Sequence, residues 1–348
     1  MLHIYPDFYH QFRCIASRCP DSCCAGWEVV VDDEAAAFYE TVPGPLGESL
    51  REAMTVDDDG DRIFRMREGK CPFWNEDRLC RIELELGHEA PCATCRKFPR
   101  LTQDYGVFTE YGLTLACPEA ARLILTHEGP WSVVTRGDPG HPCETDLDWD
   151  FLRQLADARK VLLDELWNEA IPEREALARC LIHGQWFQRH FDNEAPGAFD
   201  PDEALSAWRA TASGDCRFLI RFLLEREILT ERWHQLLEEA EADTEPLPEL
   251  PETGMVRNLI ADSLYRYWFQ AVNDYDCLLR LGLLAVNWAV VRHLARVHLA
   301  KHGRITEDTL LGLFRLYARE VEHDDVNREA LEDLLLTGDP VQALLPLI

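Results

Sequence analysis

Cys14-Ile-Ala-Ser-Arg-Cys19-Pro-Asp-Ser-Cys23-Cys24-Ala-Gly-Trp27 opens a cysteine array. The array continues through Cys71-Pro-Phe-Trp-Asn-Glu-Asp-Arg-Leu-Cys80 and Cys92-Ala-Thr-Cys95-Arg-Lys-Phe-Pro-Arg100 to Cys117-Pro-Glu-Ala-Ala-Arg122. Nine of the 13 cysteines lie in the first 117 residues; Cys143, Cys180, Cys216 and Cys277 are scattered singly beyond. Buried structural cysteines behave as small hydrophobes and scatter in that way. Clustering in short-spaced groups is what a metal ion or cluster needs, because its ligands must converge within a few ångströms. Proline, aspartate, serine and glycine crowd the first group (Pro6, Pro20, Asp21, Ser22, Gly26), which places it on loops.

Working outward, Trp27–Val31 is expected to be a short strand, followed by a helix capped at Asp32 or Asp33 and broken at Val42–Gly47. A strand is expected at Arg62–Met66 and another over Val107–Leu115, with Pro118 opening a helix. The acidic run Asp57–Asp61 is a turn rather than a calcium loop, because Arg62 stands where the sharp bend needs glycine. A stretch rich in proline and glycine near residue 140 marks a domain boundary, and beyond it the apolar period is helical. Phe151, Leu152, Leu155, Leu162, Leu163 and Leu166 share one face behind a cap at Asp146 or Asp148. Pro172 and Pro201 begin further helices. Asp215 to about Glu241 reads as one long amphipathic helix with Phe218, Phe222, Leu229, Trp233 and Leu236 inward, and Glu245–Pro251 as a stiff linker. The expected fold is therefore mainly α: a small irregular α+β cysteine-rich metal-binding module over residues 1–140 and a helical body over 141–348.

The composition is that of a globular chain, 47% hydrophobic and 28% charged over 348 residues. The start, Met1-Leu-His-Ile-Tyr-Pro6, lacks the basic and apolar runs of a signal peptide, and no uninterrupted apolar stretch reaches about 18 residues. A cytoplasmic location is expected, where cysteine arrays read as metal-binding or catalytic rather than disulfide-bonded. A net charge of −28 argues against nucleic acid and against an anionic membrane surface, and is compatible with a cationic protein substrate.

Thiolates at these spacings suit zinc or an iron–sulfur cluster. Cys92-x-x-Cys95 has zinc-site spacing, whereas adjacent Cys23-Cys24 and Cys14-x4-Cys19-x3-Cys23 do not, and the thiols outnumber one zinc site. Arg96, Lys97 and Arg100 surround Cys95, where an arginine fork could hold a carboxylate or balance an anionic cluster. Asn75-Glu-Asp77 reads as an Asx-type turn. A second polar knot, Glu320, Glu322, His323, Asp324 and Asp325, offers a carboxylate and an imidazole to accept the proton of an amine nucleophile, or a helix cap at Asp324 or Asp325. No Gly-x-Gly-x-x-Gly segment occurs, so the doubly wound nucleotide fold is not expected.

Phe12-x-Cys14-Ile, Cys19-x-Asp-Ser-Cys-Cys-x-Gly-Trp27, Cys71-Pro-Phe-x-Asn-Glu-Asp-x-Leu-Cys80, Thr94-Cys95-x-x-x-Pro-Arg100 and Cys117-Pro-Glu-Ala-Ala-Arg-Leu123 resemble the flagellin lysine N-methylase family. Phe218-Leu-Ile-Arg-Phe-Leu-Leu and Tyr317-Ala-Arg-Glu-Val-Glu322-His-Asp-Asp-Val-Asn327 resemble later segments of it. The resemblance implies methyl transfer from S-adenosylmethionine to lysines of flagellin, with an iron–sulfur cluster implicated. Cys92 stands where the family is expected to carry serine. The ligand set is therefore taken as Cys14, Cys19, Cys23, Cys24, Cys71, Cys80, Cys95 and Cys117, with zinc as the alternative metal. Arg96 and Arg100 become candidates for the methyl donor, and Glu322 and His323 for catalysis. A metal-sequestering or redox protein without methyl transfer is the competing function.

Overall fold

The computed structural model describes residues 1–57, 60–138, 147–194, 197, 199–211, 214–338 and 340–348. In chain order the elements are β1 (Leu2–Pro6), α1 (Asp33–Thr41), α2 (Gly44–Ala53), β2 (Met54–Val56), β3 (Arg62–Phe64), α3 (Arg81–Leu86), α4 (Ala93–Lys97), β4 (Arg100–Asp104), β5 (Phe108–Leu113), α5 (Pro118–Leu125) and β6 (Val133–Arg136). There follow α6 (Trp149–Leu166), α7 (Glu173–Phe191), α8 (Pro201–Thr211), α9 (Arg217–Leu224), α10 (Glu231–Ala242), α11 (Met255–Arg266), α12 (Cys277–His302), α13 (Glu307–Tyr317), α14 (Asp325–Leu336) and α15 (Pro340–Leu344). A 3₁₀ turn occupies Trp268–Asn273 and a π-helical turn Ala318–Glu322. The fold is mainly α, as expected. The boundary expected near residue 140, the cap at Asp146, Cys143, and Asp58 and Asp59 of the acidic run lie outside the described residues.

Two compact units make up the chain. The cysteine unit is Phe12–Leu101 with Cys117–Glu119; the helical unit is Met1–Gln11, Thr102–Ala116 and Ala120–Ile348.

The cysteine unit has a small core of Val29, Val31, Tyr39, Leu50, Phe64, Phe73 and Ile82, to which Cys71 and Cys92 belong. Asp32 caps α1 by accepting from the Ala35 N–H, satisfying one orphan donor of the first turn. The break at Val42–Gly47 separates two helices rather than ending helical structure: Pro43 precedes α2, and Pro45 fits a first turn whose N–H needs no partner. Trp27–Val31 is not a strand. It meets β3 through one bridge, Val30 to Ile63, and two backbone bonds, because β3 is only three residues long and carries β2 on its other edge. The strand expected through Met66 stops at Phe64, after which Arg67 and Lys70 close a tight turn on each other.

In the helical unit a four-stranded sheet runs β4-β5-β1-β6, with β1 parallel to β5 and antiparallel to β6. Asp148 caps α6 by accepting from the Asp150 and Phe151 N–H groups. Among the described residues one helix, α12, is long and apolar enough to cross a membrane, and most of it is buried within this unit. Its neighbours include α7, α10, α13 and α14, which is why it is apolar nearly all round. The single helix expected from Asp215 to Glu241 is instead two, α9 and α10. The intervening chain is drawn out by side chains from far along the sequence. Glu320 accepts from the Leu229 N–H and the Thr230 hydroxyl, and Asn327 bonds both the Glu227 N–H and its carbonyl. Thr230 then caps α10. The inward face of α9 is Leu219, Ile220 and Leu223, while Phe218 is exposed.

Candidate functional site

In the cysteine unit the thiols collect around the small core. The Cys71 N–H donates to the Cys24 carbonyl at 2.7 Å, so the Cys23-Cys24 loop and Cys71 run side by side. Trp74 and Cys80 form a bridge, and Asn75 closes that loop by accepting from the Leu79 N–H, the side-chain turn read from the sequence. Cys24 and Cys80 pack against the core that contains Cys71 and Cys92. Cys23, Cys80 and Cys92 stand near enough to bear electrostatically on Cys71, and Cys24, Cys71 and Cys92 on Cys95. Cys14, Cys19 and Cys23 form a more exposed group at the start of the unit.

The segment carrying Cys92 and Cys95 is pinned at four points. Tyr39 donates to the Ala90 carbonyl at 2.9 Å, and Asp32 accepts from the Ala93 N–H at 2.6 Å while also capping α1. Thr94 donates to the Val30 carbonyl at 3.0 Å, and Arg96 to the Glu89 carbonyl at 2.7 Å. The Ala93 bond holds the Asp32 carboxyl below its ordinary range. The Arg100 guanidinium lies over the Phe12 ring, 5.1 Å from its centre.

Burial pushes the Cys71 thiol up to about 11 and raises Cys19 and Cys80 as well. A thiol of that kind becomes a thiolate only beside a cation. The all-sulfur donor set fits an iron–sulfur cluster or zinc. Among the described residues no three His, Cys, Asp or Glu side chains converge closely enough to hold an ion. The array is thus a thiol neighbourhood with one close pair, Cys92 and Cys95, whose sulfurs are 3.6 Å apart.

In the helical unit the polar knot runs from buried Glu320 and Asp324, through half-buried Glu322, to exposed His323 and Asp325, and its buried acids are shared out between two roles. Asp324 caps α14 by accepting from the Asn327 N–H at 2.7 Å, and Glu320 holds the loop before α10. Glu322 does neither. It ends the π-helical turn, a backbone irregularity frequent at functional sites. Its carboxylate accepts from Arg266 at 3.0 Å, the Tyr267 hydroxyl at 3.2 Å and Asn287 at 2.9 Å. The same guanidinium reaches Asp262 at 3.1 Å. Arg266 is 3% exposed and Asp262 3%, so one buried cation serves two carboxylates. Desolvation outweighs that shared pairing and pushes Asp262 up to about 7, with Glu322 adding to the rise.

His323 follows directly. Its Nε2 is hydrogen-bonded to the Thr114 hydroxyl, and desolvation of the ring lowers its pKa more than the nearby Glu322 raises it. The site therefore sets an imidazole of lowered pKa next to a carboxylate whose oxygens are occupied by three donors. The first can take a proton; the second is a fixed acidic group. The polar knot and the family resemblance of its segment pointed to Glu322 and His323 but not to Arg266, Tyr267, Asn287, Asp262 or Thr114, which no local motif marks. Glu110, the acid available near the cysteines in sequence, is buried in the helical unit and bound bidentately by Arg159, so it is not free for chemistry.

The family described as FliB lysine N-methylase C-terminal domain matches residues 217–346. Those residues contain Asp262, Arg266, Tyr267, Asn287, Glu322 and His323; the cysteine array lies outside the match. The flagellar biosynthetic protein FliU of Salmonella muenchen is 32% identical over 132 residues, 34% of this chain and 75% of that relative. The lysine-N-methylases of Salmonella typhimurium and Salmonella choleraesuis are each 32% identical over 132 residues. The match spans about a third of the length of each of these two methylases, 31%. No solved structure matches the chain. By the match over its helical unit and by its coverage of FliU, the chain belongs to the FliB lysine N-methylase family.

Proposed function

We propose that this protein is a protein-lysine N-methyltransferase of the cytoplasm that acts on flagellin with S-adenosylmethionine as methyl donor. The observation that carries this reading is the family match over residues 217–346, within which Glu322 and His323 fall. In the reaction the lone pair of a deprotonated lysine Nζ attacks the donor's methyl carbon. The carbon–sulfur bond breaks, sulfur keeps its electron pair as a neutral thioether, and the ammonium nitrogen sheds its proton. His323, its pKa lowered and its ring oriented by Thr114, takes that proton. Glu322, fixed by Arg266, Tyr267 and Asn287, supplies the negative charge that draws in a lysine side chain. Arg96 and Arg100 are the groups for the donor's carboxylate. Most of Cys14, Cys19, Cys23, Cys24, Cys71, Cys80, Cys95 and Cys117 would hold an iron–sulfur cluster, which when bound supplies an anchor for polar groups of the donor.

Incubation of the protein with S-adenosylmethionine and flagellin, followed by mass mapping of flagellin lysines, tests the reading. Mass gains in steps of one methyl are expected. His323→Gln is expected to lower the rate about 100-fold or more, and Glu322→Gln by at least about tenfold, with the fold retained. No methyl gain with the metal-loaded protein sinks the enzyme and leaves a metal-binding function.

A further inference from the structure

Helix α12 ends at His302, in a part of the helical unit that the chemistry at Glu322 and His323 does not use. Asn287, which bonds Glu322, precedes His298 by 11 residues (298−287) on this helix, about 16 Å of its axis. Two open cavities meet around the last turn. One, of about 410 Å³, is lined by His298, His302, Arg304, Thr306 and Thr309. The other, of about 250 Å³, shares the two histidines and adds Arg232 and Glu239 of α10 over an apolar floor of Leu236, Leu294 and Val297.

This lining is basic in a chain of net charge −28. The larger cavity has one guanidinium and two imidazoles on its wall and no carboxylate. Glu239, in the smaller one, is paired with Lys301 at 3.3 Å, and Glu307 and Asp308 at the start of α13 line neither. Nearby arginines are taken up by carboxylates: Arg292 and Arg296 by Glu249, and Arg221 by Glu241. Among the described residues Arg232 and Arg304 have no hydrogen bond or ion pair, so their donors are open to a ligand. The rings of His298 and His302, one turn apart, are centred 4.3 Å from each other. Burial first, then His302 and Arg232, lower the His298 pKa against an upward pull from Glu239, so charging this imidazole calls for an anion beside it. The Thr306 and Thr309 hydroxyls lie 2.9 Å apart. One guanidinium fork satisfies a planar carboxylate, whereas donors spread over α12, the loop after it and the start of α13 suit the several terminal oxygens of a tetrahedral oxyanion.

We propose that the joined cavities bind a small phosphomonoester, with its phosphate in the larger cavity and its organic arm on the apolar floor of the smaller. Binding is non-covalent. An imidazole takes up a proton as the anion enters, so affinity rises as pH falls through the histidine range. The site is independent of the reaction assigned to Glu322 and His323.

The test is calorimetric titration of the full-length protein with sulfate, whose charge is constant over the histidine range. Binding is expected to be about tenfold tighter at about pH 6 than at about pH 8, and weaker by more than about tenfold in Arg304→Ala. The double variant His298→Gln/His302→Gln is expected to bind weakly and without pH dependence. Arg304 and His302 are exposed and His298 half-buried, so these variants keep the fold. At one pH, phenyl phosphate is expected to bind at least about tenfold tighter than inorganic phosphate, because only the ester has an arm for the apolar floor. No sulfate binding at the lower pH, or binding that Arg304→Ala leaves unchanged, overturns the site. A pH dependence that survives loss of both histidines overturns the proton uptake, and equal affinity for the two phosphates overturns the phosphomonoester.

Discussion

The two units solve the same problem with different means. The helical unit has elements of up to 26 residues and enough apolar surface to bury a salt-bridged network of Arg266, Asp262 and Glu322. The cysteine unit has helices of at most ten residues and strands of three, joined by loops with left-handed residues at Ala16, Glu68 and Arg78. Its segments are tied by single side-chain bonds such as Asp32 to Ala93 and Thr94 to Val30. One unit can bear the cost of buried charge because its core is large. The other concentrates thiols where its core is small, and the metal proposed for it would turn binding into folding free energy.

The sharpest way to break this contrast is to unpair the helical unit's buried charge. Arg266→Ala leaves Asp262 and Glu322 facing each other without their cation. A loss of about 3–5 kcal/mol in denaturant unfolding is expected, with metal content unchanged. A loss under about 1 kcal/mol would mean that the network is solvated and the site open. Next in size is removal of the metal proposed for the other unit. Cys80→Ser or Cys95→Ser is expected to lower metal content and to raise amide exchange across residues 12–101 while α11, α12 and α13 keep their protection. Unchanged metal in both variants would refute those assignments.

What the sequence disclosed follows the range of the forces involved. Caps and prolines act locally, so Asp32, Asp148 and the start of α5 at Pro118 were legible, whereas Pro45, expected within a helix break, opens α2. The break between α9 and α10 was not, because Glu320 and Asn327 impose it from about 90 to 100 residues away. Phe218 was expected inward but is exposed, the buried face of α9 being Leu219, Ile220 and Leu223. Glu322 and His323 could be named as residues, but the partners that set their chemistry come from α11, α12 and the end of β5. The cysteine array was legible as a neighbourhood, since clustering in sequence is itself a long-range signal. The pairing of Cys92 with Cys95 is a matter of ångströms, which the family pattern pointed away from.

A smaller effect tests the electrostatics of the helical unit. The folded Asp262 carboxyl is raised from 3.8 to about 7, chiefly by desolvation. The native state then holds that proton more tightly than the unfolded state between these two values. Stability must fall as pH rises through the window and level off above it, by up to about 1.4 kcal/mol per pH unit. Glu110 and Glu320, also raised by burial, act with the same sign, so the difference between wild type and Asp262→Asn isolates the one group. Asp262→Asn is expected to flatten the curve between about pH 4 and 7. Parallel curves would show that Arg266 keeps Asp262 ionised throughout.

The smallest effect concerns the cysteines that the helical unit keeps to itself. Cys180 and Cys277 are 0% exposed and Cys216 7%, each set among apolar side chains of its own helix packing. Burial pushes the thiols of Cys180 and Cys216 up to about 12 and raises Cys277 likewise. Thiols so held are neither nucleophiles nor ligands; they fill space. Changing each to Ala removes one sulfur from a packed interior and is expected to cost about 1 kcal/mol, partly relieved where neighbours relax. The triple variant should therefore unfold more easily yet hold the same metal per chain as wild type. Stability and metal content would then be governed by different cysteines in the two units. A triple variant that loses metal would place a ligand in the helical unit, and the contrast between a thiol-tied unit and an apolar one would fail.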